Sequence, residues 1–454
     1  MKNITPKILL ISILCWLFVS SQVVAVSPKG LSLLSISSIP YPAKEANVSQ
    51  IEYTDRYRDI NIPAFWISRV DQPDRRILTP IGVKQFNDQT AYRKKIITLA
   101  KDFDTKYNSE WVKQKLKKLH TFISERAFYL EDGRAIDDGY LEKLQQNSHI
   151  DAIEDPIKIR YGVITEYAHQ RIIPSNITLL KKPKQIYFDR NQNAALDIGT
   201  PVAVLHQSAD TQWYFVTSET SYGWVETKNI ALTTEDKMLS FSQSRQFVVT
   251  INPKNAIFVD ENYYNFVRMG VRLPYVGRIG RYVQVKIPMR NNRGELKLKI
   301  ATISYDDIHL GYLPYTPRTI ITQAFKFLHA PYGWGGMFGE QDCSKYLQEI
   351  YSTVGIILPR NSGEQREAAK PLIDFRGDFQ QRIDALRQRA EPASTLLYLP
   401  GHITLYLGSY DGKHYMIHTV WGAIEGKNPI AKTAVTTVEF KDYIQQMDSA
   451  ISVK

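Results

Sequence analysis

The hydrophobic rhythm of this chain changes near residue 160 and again near residue 318. Before the first point the period is helical. Val112, Leu116, Leu119 and Ile123 fall at i, i+4, i+7 and i+11, one stripe of an amphipathic helix. Between the two points, apolar and aromatic residues come in short alternating runs broken by turn residues. Beyond 318, helical stretches give way to strands. Such a succession cannot bury its faces in one bundle or one sheet, so it predicts a multidomain α+β protein.

Residues 51–160 are predicted to form a helical domain, with turns at Asp132-Gly133 and Asp138-Gly139. Lys113, Lys115, Lys117 and Lys118 lie off the apolar stripe and read as a solvated face. In the next segment Val202 and Val204 alternate, Trp213-Tyr214-Phe215-Val216 is β-prone, and Gly223-Trp224-Val225 follows a polar turn. Strands at this spacing predict a small β-barrel over 161–235. The same texture over 236–317, with a hairpin turn at Asn291-Asn292-Arg293-Gly294, predicts a second. Residues 318–454 run α then β. Helices are predicted over 319–328 and from Asp342 to a stop at Gly355, with strands near 403–408, 413–420 and 433–440.

The chain opens with Lys2 and Lys7, an apolar run over 8–19, and Val23-Val24-Ala25. This pattern predicts a secretory signal over 1–25, with a retained anchor as the alternative. The run is too short for a comfortable membrane span. Residues 26–50, rich in Ser, Pro and Ala, read as a linker or arm. The expected location is the periplasm or cell envelope. The formal charge of +11 falls to +9 once residues 1–25, with two lysines and no acids, are set aside. A basic exported protein suits an anionic wall or membrane surface, and export argues against nucleic acid.

Of the two cysteines, Cys15 lies in the expected signal. Cys343 is left without an intramolecular partner, which allows a reactive thiol, an intermolecular link or an inert buried residue. Its surroundings decide between them. Asp342 is a good N-cap, which places Cys343 in the first helical turn, where the partial positive charge favours a thiolate. Gly333, Gly335 and Gly336 upstream let the backbone turn and approach closely, as a substrate cleft requires. A thiol nucleophile needs a base. His402 shares a strand face with Thr404 and Tyr406, and His418 lies in the following strand. A two-residue turn at Asp411-Gly412 would set His418 opposite Leu405, on the wrong face. A three-residue loop, Tyr410-Asp411-Gly412, would set it opposite Thr404 and diagonal to His402. The catalytic reading therefore demands an odd-length loop.

Several strings in order now carry a family resemblance: Tyr332-Gly-Trp-Gly-Gly, Asp342-Cys-Ser, Leu358-Pro-Arg-Asn-Ser-Gly-Glu-Gln, Pro400-Gly-His-Ile-Thr-Leu-Tyr-Leu-Gly and Ile417-His. Residues 318–425 resemble the NlpC-type cell-wall peptidases, papain-like cysteine enzymes. The resemblance implies Cys343 as nucleophile, His402 as general base and His418 as the residue orienting the base. It implies peptidoglycan stem peptides, or muropeptides released from the wall, as substrate, cut between D-glutamate and a diamino acid. It also implies that Tyr332, Asp342 and Ser344, with Trp334 of the same string, bind substrate, Asp342 pairing with a free N-terminal ammonium. Lys345 departs from the small residue common after Asp-Cys-Ser and would narrow or recharge the cleft. The upstream chain is similar to a branch of that family with a helical N-terminal domain and two bacterial SH3-like barrels, the first walling the cleft. Tyr167 is a candidate lining residue there, against a barrel-core or surface position. No His-Glu-x-x-His string is present, so no metal or other cofactor is expected. A non-catalytic wall-binding protein, and an amidase or acyltransferase on the same scaffold, are the competing readings.

Overall fold

The computed structural model describes residues 59–423 and 429–454; the expected signal and arm lie outside the described residues. Among these residues no helix is long and apolar enough to cross a membrane. The predicted multidomain α+β architecture is present as helices and three β-sheets.

The helix Ser109–Ser124 is capped by Asn108, whose side chain accepts from the Trp111 N–H at 2.8 Å. It buries the predicted stripe Val112, Leu116, Leu119 and Ile123. That stripe shares a core with Phe103 and Leu141, with Phe215 and Trp224 of the first sheet, and with Val283 and Ile287 of the second. The short helices Pro63–Ile67 and Pro80–Asp88 bury Trp66, Val83 and Phe86 in a different core, shared with Ile320, Tyr346 and Leu405 near the C-terminus. The helices of the 51–160 segment therefore divide between two cores. Their periodicity shows a face to be buried but not the surface that buries it.

The first sheet has seven strands, from Arg160–Ile164 to Ile230–Thr233. Both faces are covered. Val202, Val204, Tyr214 and Val216 form one small cluster, while Leu205, Trp213, Phe215 and Trp224 face the helical core. The second sheet also has seven strands, from Phe247–Thr250 to Ile308–Leu310. Its long hairpin pairs Tyr282–Arg290 with Leu296–Ser304 around the predicted Asn291–Gly294 turn.

The C-terminal sheet has six antiparallel strands. Their spatial order is Lys370–Asp374, Ser449–Ser452, Thr395–Leu399, His402–Tyr410, Lys413–Ala423 and Pro429–Thr437. Two predicted helices stand close to their expected bounds, as Pro317–Phe325 and Cys343–Ser352. Gly355, just past the second, has φ +84°, the left-handed conformation that ends a helix without a Cβ penalty. Leu347 and Ile350 on the inner face of that helix pack on Ile403, Leu405 and Ile417 of the sheet. This contact fixes the helix start against the strand that begins at His402.

Candidate active site

Asp342 is the observed N-cap of the Cys343–Ser352 helix, its Oδ1 accepting from the Lys345 N–H at 2.9 Å. Cys343 is buried in a core that it shares with Ile403, the residue after His402, and the Ile403 backbone N–H acts to lower the thiol. Through Ile403 the His402–Tyr410 strand thus shares the core of the nucleophile candidate. His402 Nε2 lies 2.7 Å from His418 Nδ1, and His418 Nε2 lies 3.1 Å from Thr436 Oγ1. His418 is fully buried, beside the rings of Phe440 and Tyr443.

The two histidines share a face, but not through the expected loop. The turn has two residues, Asp411 and Gly412, and Tyr410 opposes Lys413. Both turn residues have positive φ, +50° and +74°, as a primed hairpin turn requires. The extra residue sits inside the strand instead, as a bulge between Tyr406 and Gly408, with Gly408 at φ +123°. Below the bulge Leu405 opposes Ile417. His418 is therefore opposite Thr404 and diagonal to His402. The face requirement was right, and the place that satisfies it was not.

Other influences on the thiol oppose the helix start. Burial, and then the Asp342 carboxylate beside it, push the Cys343 thiol up to about 12. A helix N-terminus is worth at most about 2 kcal/mol, less than the combined desolvation and like-charge penalty.

Asp342 is not held ready for a ligand ammonium alone. Burial by itself would raise its carboxyl. The Arg360 guanidinium, with backbone donors, holds it below the ordinary value. Arg360 Nη2 donates to Asp342 Oδ2 at 2.5 Å, and Nη1 to Oδ1 at 3.1 Å and to Ser344 Oγ at 2.8 Å. The Gly335 N–H also donates to Oδ2, at 3.1 Å. Sequence reasoning quoted Arg360 within a motif but gave it no role, since its partner lies 18 residues earlier. Tyr332 stands near both Asp342 and Cys343, and burial together with those groups raises its phenol.

Cys343 opens into a cavity of about 870 Å³, shared with Tyr332, Trp334, Asp342, Ser344 and Arg360. All the residues expected to bind substrate are thus brought together. The Trp334 Nε1–H is buried without a hydrogen-bond partner among the described residues. The connection between the first sheet's strands Ala168–Arg171 and Gln192–Leu196 walls the site, through residues that sequence reasoning missed. Phe188 packs edge-on against Trp334 at 5.5 Å and against Trp421 at 4.8 Å, and the Arg190 guanidinium lies 4.4 Å from the Trp334 ring.

Tyr167 does not line the cavity. Its hydroxyl donates to the Gly336 carbonyl at 2.5 Å and accepts from Arg268 Nη1 at 2.7 Å, joining three parts of the chain. Gly335 and Gly336, at φ +61° and +89°, make their close approach to the first sheet rather than to substrate. A Cβ would meet Gln192 Cγ at 2.7 Å from Gly335 and Ala195 Cβ at 2.6 Å from Gly336. Lys345 neither narrows nor recharges the cleft. It points to the first sheet, Nζ 3.2 Å from Asp197 Oδ2. Among the described residues no cluster of His, Cys, Asp or Glu suits a metal ion.

The NlpC/P60 family matches residues 329–438, and the SH3 domain of SH3b1 type matches residues 179–226. A γ-D-glutamyl-L-lysine dipeptidyl-peptidase of Bacillus subtilis is 34% identical over 107 residues, covering 23% of this chain and 32% of that protein. The bifunctional muramidase/DL-endopeptidase CwlT of the same organism is 37% identical over 59 residues, 13% of this chain and 18% of that protein. The matched segments thus span a third or less of these relatives. An NlpC/P60 endopeptidase from Photobacterium damselae subsp. piscicida has a similar fold, with a TM-score of 0.68 at 21% identity over 86% of this chain and 94% of that one. On these grounds the chain carries an NlpC/P60 family domain together with an SH3b-type domain.

Proposed function

We propose that the protein is an exported cysteine endopeptidase of peptidoglycan stem peptides that hydrolyses the bond between γ-D-glutamate and a diamino acid. The observation that carries this reading is the order of groups at the sulfur. Cys343 heads a helix, His402 begins the strand whose next residue, Ile403, shares the Cys343 core, and His418 holds His402 from behind. The named activity of the Bacillus subtilis relatives supports the bond, and the domain division 51–160, 161–235, 236–317 and 318–454 belongs to the same proposal.

In this mechanism His402 Nε2 is engaged by His418, so Nδ1 takes the Cys343 proton. Burial raises the thiol, so in this mechanism proton transfer accompanies attack rather than preceding it. The sulfur adds to the γ-carbonyl carbon, and the Cys343 backbone N–H donates to the oxyanion. The C–N bond breaks and the amine leaves with the proton from His402, giving a thioester. Water, deprotonated by His402, attacks that thioester; the acid is released and the proton returns to sulfur. His418 keeps the imidazole in one orientation through both steps. Tyr332, Trp334, Asp342 and Ser344 bind the acyl side, with Arg360 fixing Asp342 and Ser344.

The test is incubation of the purified protein with L-Ala-γ-D-Glu-diaminopimelate and mass spectrometry of the products. L-Ala-D-Glu and free diaminopimelate are expected, and none from Cys343→Ala. No cleavage, or equal cleavage by the variant, overturns the assignment.

A further inference from the structure

The helix Ser109–Ser124 carries a second stripe. Trp111, Lys115, Lys118 and Phe122 repeat the i, i+4, i+7, i+11 spacing of its core face, and all four line the Cys343 cavity. The lysines expected to form a solvated face therefore split. Lys115, half-buried, and Lys118, exposed, line the cavity into which Cys343 opens.

Lys115 is held in place. Its Nζ lies 5.3 Å from the Trp111 ring and 5.1 Å from the Tyr222 ring of the first sheet. Those rings meet edge-on at 5.7 Å, and Tyr107 packs on Trp111 at 4.6 Å. The ammonium is half-buried in an aromatic frame, a setting that stabilises a cation but supplies no counter-charge. Among the described residues neither Lys115 nor Lys118 is in an ion pair, and the two stand one helical turn apart, where like charges repel. Burial and Lys118 lower the Lys115 amine, and Glu364 across the cleft acts in the opposite sense. Glu364 is itself tied into a capping box with Asn361.

Lys94, on the same wall, shows what a structural lysine looks like. Its Nζ donates to the carbonyls of Glu367, Ala368 and Ala369, closing the C-terminal end of the Ser362–Ala368 helix. Lys115 and Lys118 make no such bonds. The cleft wall as a whole carries seven basic side chains against four acidic ones.

We propose that Lys115 and Lys118 form an anion subsite through which the helical region binds a carboxylate of the stem peptide. The inference rests on the proposed peptidase reading. A γ-linked D-glutamate keeps its α-carboxylate free, and a C-terminal diamino acid keeps its own. Either places an anion near the scissile bond, and a charged bond from an ammonium in a partly dry cleft favours binding.

The experiment measures equilibrium binding to full-length Cys343→Ala protein. The probes are L-Ala-γ-D-Glu-diaminopimelate, the same peptide amidated at the D-glutamate α-carboxyl, and the same peptide amidated at the diamino acid C-terminus. One amide is expected to bind about tenfold more weakly than the free acid, which identifies the carboxylate. In K115Q/K118Q that ratio falls toward one, and K115R/K118R restores most of it. Equal binding of all three peptides, an unchanged ratio in K115Q/K118Q, or no binding at all overturns the subsite. Normal discrimination in binding, with no cleavage by the protein that retains Cys343, overturns the peptidase reading alone.

Discussion

Arg360→Met removes the counter-charge of a carboxylate that has nowhere to go. Asp342 is 7% exposed and Arg360 is 5% exposed. The substitution deletes two hydrogen bonds to Asp342 and one to Ser344, and leaves the Lys345 N–H, the Gly335 N–H and the Ser344 hydroxyl as remaining donors. Breaking a buried ion pair from one side costs about 3–5 kcal/mol. With three donors retained, the lower end applies, about 3 kcal/mol. The sign with pH follows from Asp342. In the parent its carboxyl is depressed, so its contribution is present above the unfolded carboxylate range and is lost as pH falls through the folded value. In the variant burial is opposed only by the remaining donors and the carboxyl rises, so protonation relieves the strain and the deficit shrinks toward about pH 4. Urea unfolding followed by tryptophan fluorescence, near neutral pH and near pH ~4.5, measures both effects. Arg360→Met combined with Asp342→Asn keeps a competent cap and removes the orphan charge, and should recover about half of the loss. A single-variant loss below about 1 kcal/mol, a deficit independent of pH, or a double variant no better than the single would refute the reasoning.

Two further outcomes follow from the site. Gly408→Ala forces a Cβ onto a residue at φ +123°, where its nearest neighbour, Pro392 Cγ, is at an ordinary 3.5 Å, so the strain is in the backbone. A loss of about 1–3 kcal/mol and a larger fall in kcat than in affinity are expected, since the bulge sets the His402–His418 register; an unchanged Tm speaks against the bulge. Alkylation of Cys343 by iodoacetamide in the ligand-free protein should keep rising from about pH 7 to about pH 10, because the thiol is raised. A plateau at or below about pH 8 would show an ordinary or activated thiol instead.

What could be read in advance was local. The Asp342 cap and the stop at Gly355 need only a few residues and a φ angle. The Val112–Ile123 stripe needs only the helical period. The candidate residues Cys343, His402 and His418 emerged from such signals and from ordered motifs. The bulge at Gly408 escaped because one extra residue can be absorbed at several points of a hairpin with nearly the same strand pattern. Choosing among them depends on how the glycine and the sheet around it pack. Lys345 and the glycines at 335 and 336 were read toward substrate, yet they meet the first sheet, and Tyr167 of that region meets Gly336 and Arg268, because a side chain's type does not say which neighbour it meets.

By itself, then, the sequence determined the order of helical, strand and mixed segments, the helix start that carries Cys343, and which residues had the chemistry to serve it. Tertiary structure decided their partners. It gave Asp342 to Arg360, moved the register correction from turn to strand, and set Lys115 and Lys118 along the cavity into which Cys343 opens. The physical reason is range: caps, turns and periodicity act over a few residues, whereas burial, ion pairing and cleft formation depend on which distant surfaces the chain brings together.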